Sequence, residues 1–454
     1  MDFNIHDQTG TWVGIVENPT SAIWTRRYHK PSDFELYLPA TAEMLALLAD
    51  DCYITREDAP DVMVIEHVEI KTDAEEGNYI LVSGRGAECL TERRIVWPQL
   101  SVSGTVDGAI YRIMMDNAIS PANAARALPM AMREPVPFKI PVTWEMGTIN
   151  TGTGADGESS TRCRMPAPIK IGNGLHIAVP DGMRIHLYYY DASGAYIGYS
   201  GWHTVTGYTI TPSTHTGAEY VRIIVSYEDS ATITTKAAAN VTVHNGISAQ
   251  YTGTGLLVTL QEIAKAYGLG FRVVTENHNV ITPVFEIING TDRSENQMEN
   301  DPVFFAPEYE NLLSSSYVLD TTKYKNVAIV AGEGEGKNRK TATLGSASGM
   351  ARREMFVDAR DLSSNEGEIS EAEYTAQLVG RGAEKLTENQ ITESFDGEMD
   401  TVNTYKLDAD YTLGDIVTIE NEYGIRKNVR ISAIMEAWDA EGYTAIPTFE
   451  NVEV

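Results

Sequence analysis

Asp51–Gly84, DCYITREDAPDVMVIEHVEIKTDAEEGNYILVSG, reads as strand, polar turn, strand, acidic hairpin, strand. Far along the chain, Gly414–Phe449, GDIVTIENEYGIRKNVRISAIMEAWDAEGYTAIPTF, follows the same plan, with DAEG (Asp439–Gly442) standing where DAEEG (Asp73–Gly77) stands in the first. A three-strand unit therefore recurs. A shorter echo accompanies it, because GRGAECLTE (Gly84–Glu92) and GRGAEKLTE (Gly380–Glu388) agree in eight of nine letters. Alone, that match reads as a helix-packing phrase arising by chance; beside the matching hairpins it reads as the trace of a structural duplication. The first unit precedes its GRGAE segment and the second follows its own, so the expectation is a shuffled or permuted copy, not a plain tandem one. Small residues in the phrase suit close approach of a helix to a sheet, since a mid-helix glycine costs about 1 kcal/mol and needs packing to offset it.

Composition narrows the function. A chain of 454 residues exceeds one ordinary core and suggests about three domains. No apolar run approaches the roughly 20 residues that span a bilayer, and the start MDFNIHDQTG has neither a basic nor an apolar signal region, so no export and no membrane insertion are expected. Cys52, Cys89 and Cys163 are odd in number and lack CxxC spacing, which fits a reducing cytoplasm better than disulfides or zinc. With 64 acidic and 35 basic side chains the net charge is -29. The densest basic runs, TRRYHK (Thr25–Lys30) and GKNRK (Gly336–Lys340), are too short to make a nucleic-acid footprint.

β-signals such as DFELYLP (Asp33–Pro39) dominate, and helices are few. They are expected at Thr41–Ala49, Thr105–Ala118, Gly255–Gly268 and Ile369–Asn389, the last opened by a Ser370-x-x-Glu373 capping box and the third stopped at Gly268. From about Lys139 to Ala249 the composition shifts to Thr, Gly and Tyr with no convincing helix. MRIHLYYYDASGAYIGYSGW (Met183–Trp202) and AEYVRIIVSYEDS (Ala218–Ser230) are its strongest strands, and it reads as a separate β-sandwich or jelly roll of roughly 100 residues. The expected division is 1–137, 138–250 and 251–454. Within the sandwich, Trp202, Tyr199, Tyr190 and Tyr188 are candidate glycan-binding residues, because an aromatic face packs on the apolar side of a sugar ring. Tyr196 and Tyr208 belong to the same set, and the competing reading is that half of these rings fill the sandwich core. Trp202 and Tyr199, in the glycine-rich GYSGW loop, are the expected exposed pair.

No enzyme motif stands up. AIVAGEGEGKNRK (Ala328–Lys340) resembles a phosphate loop but carries Ala331 for the first glycine and Asn338 for Ser/Thr, and reads instead as a hairpin tip. GxSxG and HExxH are lacking, and the nine histidines are scattered. No catalytic, cofactor-binding or metal-binding residue is therefore expected.

Four stretches carry a family resemblance. IWTRRYHKPSDFELYLP (Ile23–Pro39), MVIEHVEIKTDAEEGNYILVSGRGAECLTERRIV (Met63–Val96), ARREMFVDARDL (Ala351–Leu362) and YTLGDIVTIENEYGIRKNVRISAI (Tyr411–Ile434) resemble the siphophage tail-hub family. These are baseplate or tail-tip hub proteins that also form the N-terminal part of tail-associated lysins. The resemblance covers about 1–137 and 250–454, with the sandwich as an insertion. It implies a mainly β (α+β) chain with two related β-barrel hub domains, short helices and the inserted β-sandwich. It implies a homotrimeric ring closing the tail tube, in which six similar barrels meet a sixfold tube. Implied partners are a distal tail protein and the tape-measure protein, with DNA passing through the ring without specific binding. The implied location is the tail tip of the virion, after assembly in the host cytoplasm, and no cofactor is implied. Long family members carry a cell-wall hydrolase after the hub; none is expected here, since the given chain ends soon after its last strand. WEMGTIN (Trp144–Asn150) and DASGAYI (Asp191–Ile197) resemble carbohydrate-binding-like jelly rolls of tail-tip proteins, which implies host surface polysaccharide as a ligand. Alternatives are a stand-alone carbohydrate-binding or lytic tail protein, and the hub of a tailocin or gene transfer agent.

Overall fold

The computed structural model describes residues 1–73, 77–398 and 405–452. The chain opens with β1 (Asp2–His6), β2 (Trp12–Glu17), β3 (Ser21–Arg27), β4 (Asp33–Pro39), α1 (Ala42–Leu47), β5 (Tyr53–Arg56), β6 (Ala59–Asp73) and β7 (Gly77–Gly86). β8 (Leu100–Thr105) runs straight into α2 (Val106–Met114), whose first turn is capped by Thr105. The sandwich supplies β9 (Leu175–Ala178), β10 (Met183–Tyr190), β11 (Tyr196–His203), β12 (Gly207–Ile210), β13 (Tyr220–Tyr227) and β14 (Thr242–Tyr251). Then follow α3 (Leu256–Ala266), β15 (Gly270–Val274), β16 (Val284–Ile288) and β17 (Ser314–Asp320). A small sheet of β18 (Val327–Ala331), β19 (Thr341–Leu344) and β20 (Glu354–Asp358) precedes α4 (Glu371–Glu388). β21 (Thr392–Glu398), β22 (Ile416–Glu420), β23 (Arg426–Asp439) and β24 (Gly442–Asn451) complete the chain. The molecule is mainly β with short helices, as expected.

One large sheet has the order β2-β1-β5-β6-β7-β4-β3-β23-β24-β21-β17, with β22 on the free part of β23. Within it β5-β6-β7-β4-β3 and β22-β23-β24-β21-β17 are the same arrangement, and each unit meets its strands in the same chain order. The match extends to single residues. β6 is bulged against β7 between Ile65 and His67, and β23 against β24 between Ile431 and Ala433. Past the bulge, His67 faces Ser83 and Ala433 faces Thr448; the hairpins close with Asp73 opposite Gly77 and Asp439 opposite Gly442. Of the DAEEG turn, residues 74–76 lie outside the described residues. Phe34 of β4 faces Gly84, and Phe395 of β21 faces Phe449 at the equivalent place.

The duplication is therefore tandem, and the expectation of a permuted copy is corrected. What misled it was the GRGAE phrase. Its first copy ends β7 and enters a 3-10 turn at Ala87–Arg93, whereas its second lies wholly inside α4. The phrases are not structural equivalents. Each glycine serves a local contact: a Cβ at Gly84 would lie 1.9 Å from the Val64 carbonyl oxygen, and one at Gly382 would lie 2.8 Å from Val330 on β18. The second unit differs in what joins its first two strands. β3 reaches β4 directly, while between β17 and β21 stand the β19-β18-β20 sheet and α4, packed through Ala328, Val330, Tyr374 and Leu378.

The units meet where β3 pairs antiparallel with β23, from Ala22 opposite Trp438 to Arg27 opposite Ala433. Under that ladder lie buried charges. The Arg56 guanidinium donates to both Glu436 carboxylate oxygens at 3.1 and 3.2 Å and to both Asp58 oxygens at 3.0 and 2.9 Å. Arg26 reaches Glu436 at 3.4 Å and Asp408 at 3.0 Å. Trp24 and Trp438 both lie against the Arg56 guanidinium, at 5.4 and 4.5 Å. Just beyond β3, the buried Tyr28 hydroxyl donates to the Gly268 carbonyl and accepts from the Gly290 amide, each at 3.1 Å. Its ring occupies a slot made by two glycines, since a Cβ at Gly270 or Gly414 would fall 2.3 or 2.2 Å from ring carbons.

In the stretch expected as an insertion, two sheets face each other, β14-β9-β12 against β13-β10-β11, closed over Ile177, Ile185, Leu187, Ile223, Val225 and Val243. β14 serves two domains. Thr242–Asn245 pairs with β9, and Gly246–Tyr251 pairs with β8, carrying Ile247, Ala249 and Tyr251 into the core under α2 and α3. The expected boundary at 250 thus cuts through the core under α2 and α3, and the strand changes allegiance at Gly246.

Glu88 of the first GRGAE phrase is buried, and desolvation, reinforced by Asp61, pushes its carboxyl up to about 8. A folded-state value above the unfolded 4.5 means that the folded chain holds this proton more tightly, so its contribution is full below about 4.5 and is lost as pH rises through 8. Glu88→Gln, neutral at every pH, is expected to raise the melting temperature over the parent at pH 8 and to match it near pH 5. An equal difference at both pH values would show that Glu88 is not held neutral by burial.

Candidate functional site

The sandwich carries the aromatic residues singled out in the sequence. In β10, Ile185, Leu187 and Tyr189 point to the sandwich core, so His186, Tyr188 and Tyr190 share the opposite face. β11 pairs beside them, with Trp202 opposite His186, Tyr199 opposite Tyr188 and Tyr196 opposite Tyr190. That face is covered over much of its area. A small hairpin, Thr148–Ile149 paired with Asp156–Gly157, lies across it. The Tyr188 hydroxyl donates to the Ile149 carbonyl at 2.8 Å, and the Tyr196 hydroxyl to that of Thr151 at 2.6 Å.

Two of the four candidates are therefore removed from solvent. Tyr188 is 0% exposed and Tyr190 7%, so neither ring face is available to a sugar, and both act as packing under the hairpin. Tyr199 is 49% exposed, and Trp202 is half-buried beside it. Around the indole stand Arg184 at 4.5 Å, Arg162 at 5.3 Å and His186 at 5.1 Å. Burial, and secondarily the Arg162 charge, pushes the His186 imidazole down to about 4, so it is uncharged at neutral pH. What remains open is a Tyr199–Trp202 surface with guanidinium groups at its edge. Tyr208 packs at a tilt against His203, with ring centroids 4.2 Å apart, and takes no part in it. Alternation along β10 places 186, 188 and 190 on one face from sequence alone. The two arginines were missed because they approach from Arg162, just past the covering hairpin, and from β10 itself.

The other candidates resolve as scaffold. The phosphate-loop lookalike is the hairpin between β18 and β19, where the Gly332 amide donates to the Lys340 carbonyl at 2.8 Å and Glu333 accepts from the Ser364 amide at 3.0 Å. Cys52, Cys89 and Cys163 are buried free thiols. Among the described residues no group of three or more His, Cys, Asp or Glu is placed to hold a metal ion, and no helix is long and apolar enough to cross a membrane.

Against known proteins, no curated sequence matches the chain. Among solved structures, the prophage MuSo2 43 kDa tail protein from Shewanella oneidensis aligns over 99% of this chain and 98% of its own, at 9% identity and a TM-score of 0.47. A tail protein from Neisseria meningitidis MC58 gives 10% identity and a TM-score of 0.44 over 99% and 96% of the two chains. Prophage tail protein gp18 from Listeria monocytogenes EGD-e gives 11% and 0.43 over 100% and 95%. The model of the family described as Siphovirus ReqiPepy6 Gp37-like protein matches residues 2–183 and 229–449. The unmatched stretch, 184–228, is narrower than the expected insertion and contains Tyr188, Tyr190, Tyr199 and Trp202. With both duplicated units inside the matched segments, the chain belongs to the siphovirus ReqiPepy6 Gp37-like family.

Proposed function

We propose that the chain is a structural tail protein, the hub of a siphovirus tail tip, and that three copies form a ring closing the tail tube. The observation that carries this reading is the tandem unit, β5-β6-β7-β4-β3 repeated as β22-β23-β24-β21-β17 within one sheet. Two equivalent units per chain give three chains six equivalent positions, which matches a threefold hub to a sixfold tube. The neighbours in this proposal are a distal tail protein above and the tape-measure protein inside, in a virion assembled in the host cytoplasm. The charge of -29 suits a passage through which DNA moves without being held, since like charge lowers adhesion at every phosphate.

The sandwich in this reading is a peripheral module that binds host surface polysaccharide through Tyr199 and Trp202. Arg162 and Arg184 beside the indole favour glycans that carry carboxylate or phosphate groups. A hub with no catalytic role follows from the same proposal.

A reconstruction of the particle is expected to contain three copies in the ring; one copy, or six, would overturn the proposal. Deletion tests the module. Lys139 and His244 are paired opposite one another, so the ends can be rejoined by a short turn. Removal of 138–245 is expected to leave the hub assembling into particles, whereas removal of 139–249 strips Ile247 and Ala249 from the core and is expected to abolish it. In intact particles, Trp202→Ala and Tyr199→Ala are each expected to weaken glycan binding about fivefold per site, at about 1 kcal/mol per ring, with a larger loss of adsorption through avidity. Normal adsorption by both variants and by the 138–245 deletion would leave the sandwich without this role.

A further inference from the structure

The duplication leaves two strand edges unequal. β3 opens the first unit and is paired on both sides, with β4 and with β23. Its equivalent, β17, pairs among the described residues with β21 alone. The converse holds for the long strands. β23 has β24 on one edge and first β22, then β3, on the other. Its equivalent, β6, has β5 up to Val64, but from His67 to Thr72 it pairs among the described residues with β7 alone. The free edges of β17 and β6 are the counterparts of the two edges that β3 and β23 join inside the chain.

The bulges and the phenylalanines fix the register of that correspondence. Counting from the bulge, Ile434 and Glu436 of β23 correspond to Val68 and Ile70 of β6. Counting from Phe34 and Phe395, Trp24 and Arg26 of β3 correspond to Tyr317 and Leu319 of β17. Inside the chain Trp24 faces Glu436 and Arg26 faces Ile434. We infer that β17 of one copy pairs antiparallel with β6 of the next, setting Tyr317 opposite Ile70 and Leu319 opposite Val68, so that the junction between chains repeats the junction within each.

The side chains suit this. Leu319 is 56% exposed and Ile70 52%, while their counterparts Arg26 and Glu436 are buried by the internal junction. Exposed aliphatics on unpaired strand edges invite association, and here the two edges would cover each other. On the opposite face the register sets Asp320 across from His67 and Ser316 across from Lys71, with the exposed Val318 between them across from the aliphatic stem of Glu69. The contact is heterologous, a β17 edge always meeting a β6 edge, so it propagates head to tail and closes when the rotation per chain divides a full turn. The inference rests on the ring proposed above for its closure at three, though not for the pairing itself.

Engineered cysteines separate the two. Tyr317→Cys with Ile70→Cys, and Val318→Cys with Glu69→Cys, are adjacent pairs in the inferred register. One of them therefore occupies a non-hydrogen-bonded position, where Cα atoms approach to about 4.5 Å. The three native cysteines are buried and do not compete. In oxidised full-chain particles, at least one pair is expected to give a covalent trimer on a non-reducing gel that returns to monomer on reduction, while the offset pair Tyr317→Cys with Thr72→Cys stays unlinked. Three-membered rings in which neither pair links would overturn the strand pairing and leave the trimer standing. Linked products that continue beyond three would support the pairing and overturn the trimer. Ile70→Lys is expected to lower ring assembly at least tenfold with the melting temperature of the free chain unchanged, since the side chain is exposed there; undiminished assembly would count against the pairing.

Discussion

The β3–β23 ladder is the contact on which the rest of the architecture depends, because without it the two units share no sheet. Its register is enforced by the charges beneath it. Glu436 must face inward to meet Arg26 and Arg56, and a one-residue slip would turn it to the other side of the sheet. That would leave two buried guanidinium groups short of a partner, at a cost of about 3–5 kcal/mol for a broken buried pair. Such an ion network adds little net stability over a well-packed apolar one, yet it makes every alternative alignment expensive. Tyr28 completes the lock, since its slot exists only when Gly270 and Gly414, from different parts of the chain, are brought together.

Duplication explains the economy of the fold and also its asymmetries. The same five-strand path is used twice, but the first unit spends its connection on a short turn and the second on a sheet and a long helix. α4 then packs back toward the centre, where the Tyr251 hydroxyl donates to the buried Glu384 carboxylate at 2.7 Å and Lys385 meets Glu262 of α3 at 2.6 Å. The insertion in the second unit thus braces the helices that follow the first.

Much of this was legible in the sequence, for a physical reason. Period-two alternation and turn chemistry act locally, so DFELYLP, the two long hairpins, the Ser370 cap and the stop at Gly268 all declare themselves within a few residues. Identity of letters did not carry the same information. GRGAE folds as strand end and 3-10 turn in one place and as helix in the other, because tertiary context overrides the weak preference of five small or polar residues. The burial of Tyr188 and Tyr190 escaped the sequence for a related reason. Position along β10 determines which rings share a face, but whether that face is wet depends on the hairpin at 148–157, and nothing local to Tyr188 encodes its presence.

A strand that belongs to two domains cannot act as a hinge. Because β14 passes from the sandwich sheet into the ladder with β8 without a break, the sandwich cannot rotate about Asn245–Gly246 unless β14 bends or its bonds to β8 part. A second tie, from the Asn173 side-chain amide to the Ala266 carbonyl at the end of α3 at 2.5 Å, opposes the same rotation. The module is held as a bracket, not on a tether, and a pull along β14 loads several backbone hydrogen bonds in shear at once rather than opening them one by one. Force applied at its outer surface is therefore delivered to α2, α3 and the core between them.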